Sequence, residues 1–81
     1  MNAKERKPGS VAIGDRIKLL LYKRGISTIQ FEWDTGIARR IFYPYNRKLT
    51  RSTLMAVAYY LGISVEDLVD GTDAFDYWYD R

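Results

Sequence analysis

The chain contains no cysteine and no histidine. The first absence removes disulfides and thiolate ligands, and the second removes the commonest general base and metal ligand near neutral pH. No cofactor and no metal site are therefore expected, and a small catalytic or zinc-stapled domain is disfavoured. No apolar run approaches the roughly 18 residues of a membrane span, and residues 1–9 (MNAKERKPG) are not followed by the apolar stretch of a secretory signal. The expectation is a cytoplasmic protein with no membrane partner. Alternating apolar and polar residues, the mark of a half-buried strand, are missing too, and no internal repeat is found. What is present is 81 residues, 47% hydrophobic and 28% charged, which suits one globular domain with an efficiently packed core and is too apolar for a disordered chain.

The net charge of +3 conceals an uneven distribution. Residues 1–63 carry twelve Lys or Arg against four Asp or Glu, whereas residues 64–81 carry six acids against Arg81. A basic body suggests a polyanion as partner, because each Lys or Arg placed on a phosphate releases a condensed counterion. The acidic end points away from such a partner. Glu66, Asp67, Asp70, Asp73, Asp76 and Asp80 accompany no catalytic motif, so the chain does not read as an enzyme and no small-molecule substrate is expected.

Three segments follow from punctuation and periodicity: a flexible basic arm at 1–9, a folded domain at 10–71, and an aromatic, acidic tail at 72–81. Helix one spans Val11–Arg24, with Ile13, Ile17, Leu20 and Leu21 at helical spacing, Ser10 as N-cap and Gly25 as stop. Ser27 and Gln30 form a capping-box pair opening helix two at about 28–35, and Thr35-Gly36 closes it. A tight Gly36-Ile37-Ala38 connection leads to a third helix at Ala38–Tyr43, which Pro44 stops or kinks. Thr50 caps a fourth helix carrying Leu54, Val57, Ala58 and Leu61 and ending at Gly62. Ser64 caps a short fifth helix with Val65 and Leu68, closed by Gly71.

Short helices, a Gly-bounded turn between the second and third, and arginines just after that turn are what a major-groove reader needs, since the groove admits a helix whose first turn reaches base edges. At this point Ile13-Gly14, Arg16-Ile17-Lys18, Arg24-Gly25-Ile26-Ser27, Thr35-Gly36-Ile37 and Leu54 through Leu68 resemble a known family. It is the phage Cro and repressor type of helix-turn-helix domain, the xenobiotic-response-element family, and the resemblance covers about residues 11–70. It implies an all-α, compact five-helix lambda-repressor-like domain with helix three in the major groove of double-stranded DNA, usually as a homodimer on a palindromic operator. Thr28 would touch phosphate, Arg39, Arg40 and Tyr43 would face bases or backbone, and Arg47 and Lys48 would follow in the loop. The implied protein is a Cro-like transcriptional regulator or repressor of phage or mobile-element type.

Three positions depart from the family pattern. Thr28 replaces a common glutamine and is too short to bridge phosphate and helix three. Glu32 replaces a small buried alanine, so its carboxylate must reach solvent, pair with Arg39 or Arg40, or push the helices apart. Pro44 falls where the recognition helix would still be running. Ile29 and Trp33, one turn apart on helix two, and Leu19 and Leu21 on helix one are apolar where the family is polar. Cover by Phe75, Trp78 and Tyr79 of the tail is one explanation. The other is a protein-interaction module, such as an antirepressor that binds a partner repressor through Ile29 and Trp33. Ile41, Phe42, Tyr59 and Tyr60 read as wholly or partly core.

Overall fold

The computed structural model describes residues 11–42 and 49–79. Helices α1 (Ile13–Lys23) and α2 (Thr28–Thr35) are followed by a 3-10 turn (Arg39–Phe42), then α3 (Arg51–Leu61), α4 (Val65–Val69) and α5 (Phe75–Tyr79). No strand forms among the described residues, where the sheet-like pairing is a bridge between Val11 and Thr72. Within 10–71 the described residues thus form four α-helices rather than five. The expected third helix is a single 3-10 turn as far as Phe42. Its tight character shows in Ile41 N donating to Ala38 O at 3.2 Å, three residues back. The sequence supplies the reason for so short an element, because Pro44 has no N–H to give a continuing helix and disfavours helical backbone at the residue before it.

Side-chain caps set three of the helix starts. Ser27 Oγ accepts from Gln30 N at 3.0 Å, Thr50 Oγ1 from Thr53 N at 3.1 Å, and Ser64 Oγ from Asp67 N at 3.0 Å. Each such cap is worth about 1 kcal/mol. The capping box at Ser27 is only half made: the Gln30 amide reaches forward to Asp34 Oδ1 at 2.7 Å. Ser10, the expected cap of α1, lies outside the described residues. Helix α1 starts after Ala12, which offers no side-chain acceptor, and its Ile13 N–H instead donates to Asp73 Oδ1 at 2.9 Å. That carboxylate is delivered by paired backbone, Val11 N to Gly71 O at 3.0 Å and Asp73 N to Val11 O at 2.9 Å.

Ile13, Ile17 and Leu21 of α1, Phe31 of α2, Leu54, Val57, Ala58 and Leu61 of α3, and Leu68 and Val69 of α4 fuse into one core that also takes in Phe42, Leu49 and Ala74. Arginines staple its rim. Arg16 donates to Asp67 O (3.0 Å) and Asp70 O (3.1 Å), satisfying carbonyls at the end of α4, and Arg24 joins Leu20 O (3.3 Å) to Leu61 O (3.2 Å). Arg51 donates to Trp78 O and lays its guanidinium over the Trp78 ring, 4.1 Å from the centroid. Helix α5 therefore packs on α4, and its Trp78 takes Arg51 from the start of α3, while Leu19, Ile29 and Trp33 stay exposed. Tyr60 is half-buried as expected, whereas Tyr59 stands in solvent.

Candidate nucleic-acid interface

The candidate interface is built on the corner between α2 and the 3-10 turn. Gly36 closes α2 at φ 75°, a left-handed conformation that a residue with a Cβ adopts only under strain, and its N–H donates to Glu32 O at 2.8 Å. Thr35 Oγ1 donates to Phe31 O (2.8 Å) and accepts from Ile37 N (3.0 Å), so one hydroxyl ties the helix end to the chain leaving it. Beneath the corner, Phe31 packs on Phe42 with ring centroids 5.9 Å apart and meets the edge of Tyr60 at 5.6 Å. The 3-10 turn also rests on α1 at Gly14, where an added Cβ would sit 3.2 Å from both Ile41 O and Phe42 Cα. A glycine inside an otherwise apolar-patterned helical run is the sequence signal for such an approach.

On this frame Arg39 and Arg40 open the 3-10 turn with exposed side chains. Arg39 Nε donates to Glu32 Oε1 at 2.8 Å, with the two side chains 51% and 36% exposed. Glu32 thus pairs with Arg39 while keeping partial contact with solvent, and the pair spans the corner from helix to turn. Arg40 makes no ion pair among the described residues. Thr28 is the first residue of α2 and half-buried, one helical turn before Glu32 and on the same side. The structure thus brings Thr28, Glu32 and Arg39 onto one face. Tyr43, Arg47 and Lys48 lie outside the described residues. Arg51, the next basic residue along the chain, lies over the Trp78 ring.

The outer side of α2 is different in kind. Trp33 is 75% and Ile29 43% exposed, and α2 carries no basic residue in its last turn. Beside them Asp34 accepts from Gln30 on one oxygen and from the Tyr60 hydroxyl on the other. That hydrogen bond, aided by partial desolvation and the nearby negative charge, raises the Tyr60 phenol above its ordinary value.

A helix, a Gly-closed corner and a basic turn resting on α1 are now in place, and comparison with known families matches residues 16–73 to the Cro/C1-type HTH DNA-binding domain. The chain belongs to that family. No curated protein and no solved structure matches it. The match takes in α2, the corner and the 3-10 turn, along with α3 and α4. A Cro/C1-type domain is a DNA-binding domain, which agrees with the arginines beyond the corner and makes the chain a DNA-binding regulator. Among the described residues no helix is long and apolar enough to cross a membrane.

Proposed function

We propose that this protein is a sequence-reading transcriptional regulator, Cro- or repressor-like, that sets its 3-10 turn and the residues following it into the major groove. The observation that carries the reading is the pair Arg39 and Arg40, exposed and adjacent at the first turn beyond the helix-turn-helix corner. An arginine fork suits guanine O6 and N7, and one good bidentate pair contributes about 1–3 kcal/mol of discrimination. Thr28 supplies a hydroxyl to a phosphate, and Tyr43, Arg47 and Lys48 extend the contact along the chain beyond Phe42. A homodimer on two half-sites supplies recognition that a single copy lacks.

The test is a gel-shift titration against the DNA upstream of the protein's own coding sequence, at low and near-physiological salt, with unrelated DNA as competitor. Saturable binding that survives competitor, and is abolished by Arg39→Ala plus Arg40→Ala with the helical circular dichroism intact, is the expected result. Binding unchanged by the two substitutions would remove the arginines from the interface.

A second reading has an observation of its own. Ile29 and Trp33 form an exposed apolar ridge beside the arginine corner, the kind of aromatic anchor that protein interfaces use. On this reading the chain is an antirepressor or interaction module that covers a helix-turn-helix repressor. Trp33→Ala then weakens the complex by about 2 kcal/mol or more in a binding titration. An unchanged affinity would return the ridge to plain solvent-exposed surface.

A further inference from the structure

We infer that Glu32 is a positioning residue for base recognition, holding Arg39 so that its guanidinium meets one base pair in a fixed orientation. The inference rests on the DNA-reading proposal above and adds the part played by an acid within a basic interface. A guanidinium has five N–H donors, one on Nε and two on each Nη, so it offers two edges for bidentate contact. Glu32 Oε1 takes Nε at 2.8 Å. The edge formed by the two Nη nitrogens is thereby the one left to face guanine O6 and N7.

The hold is geometrically fixed at both ends. Glu32 sits in α2, where its carbonyl accepts from Gly36 N at 2.8 Å, and Arg39 starts the turn that Phe42 anchors against Phe31. The Thr35 hydroxyl, bonded to Phe31 O and Ile37 N, closes the path between them. A free arginine must give up rotamer freedom when it binds a base; one already tied across a rigid corner has less to lose. A half-exposed ion pair contributes little to stability, so its value here lies in orientation.

Positioning and simple charge have opposite signs, which makes the inference testable. An acid near phosphates weakens attraction to every sequence alike, so its removal alone tightens all DNA binding. Loss of positioning instead erodes preference at the single base pair Arg39 reads. The experiment selects duplexes from a randomised pool with the wild-type protein, then measures affinities for the selected duplex, for its single-base-pair variants and for unrelated DNA. Arg39→Ala identifies the base pair that this side chain reads.

Glu32→Ala is expected to lose about tenfold of the preference at that same base pair while binding unrelated DNA more tightly. Glu32→Gln, which removes the charge but keeps an acceptor for Nε, is expected to restore most of the preference. Thermal unfolding of all three variants confirms that the folded domain is compared. Uniform tightening on every duplex with Glu32→Ala, preference retained, would overturn the inference and make Glu32 a mere electrostatic brake. A wild-type protein that enriches no sequence would overturn the DNA-reading proposal itself, and the inference with it.

Discussion

Two parts of this small domain use arginine in opposite ways. In the scaffold of α1, α3, α4 and α5, Arg16, Arg24 and Arg51 spend their donors on backbone carbonyls at helix ends, and Arg51 also lies on the Trp78 ring. At the corner between α2 and the 3-10 turn, Arg39 is held by a side chain at one nitrogen, and Arg40 stands exposed. The difference teaches that a basic balance counts side chains without asking which donors are already engaged. The +8 of residues 1–63 overstates what a polyanion meets, because three of those charges are part of the fold's own hydrogen bonding.

The largest expected effect comes from the joint between the two parts. Phe31 is fully buried and touches both Phe42 and Tyr60, so Phe31→Ala should cost about 3–5 kcal/mol in urea unfolding. A loss under 1 kcal/mol would mean that the corner and scaffold are not packed as one unit. Next, the two arginine classes should separate in paired measurements. Arg39→Ala plus Arg40→Ala should remove sequence-specific binding while changing stability by less than about 0.5 kcal/mol, as exposed substitutions do. Arg16→Ala should do the reverse, losing about 1 kcal/mol of stability with DNA affinity nearly unchanged once the protein is folded.

Asp73→Ala should cost a similar amount, about 1 kcal/mol, since it uncaps α1 from sixty positions away in the chain. Amide exchange at Ile13 should accelerate in that variant, and unchanged exchange would take Asp73 out of the capping role. The smallest effect concerns Tyr60. Its hydrogen bond to Asp34 favours the neutral phenol and raises its titration above the ordinary value of 10.0, so the bond's contribution is complete below that pH. It is lost as pH rises through the raised folded-state value. An alkaline stability titration of Tyr60→Phe should therefore be flatter than that of the wild type, and coincident curves would show the bond to be immaterial.

Much of the fold was legible because its signals are local. Ser27, Thr50 and Ser64 capped where a short polar side chain precedes an apolar stripe, and Gly36 and Gly62 closed helices at positive φ. Helix two was read at its observed bounds, Thr28–Thr35. What stayed hidden depends on contacts distant in sequence. Nothing local to Val11–Asp15 announces Asp73 as the cap of α1, and nothing local to Arg51 announces Trp78. The third helix failed as an expectation because the ARRIFY pattern fits one face of a helix, while only a 3-10 turn forms through Phe42. At the site, the Glu32 departure correctly framed a choice of partners, and the corner geometry decided for Arg39.

The salt dependence of DNA affinity tests the central claim most directly, with wild type, Arg40→Ala, Arg16→Ala and Arg51→Ala titrated on one selected duplex. With Arg40 set on a phosphate, its loss should lower the slope of log affinity against log salt by about 0.9, the share of one phosphate contact. Arg16→Ala and Arg51→Ala should leave that slope where it was. A slope that falls equally for Arg51→Ala or Arg16→Ala, or that Arg40→Ala leaves untouched, would contradict the division between structural and DNA-facing arginines.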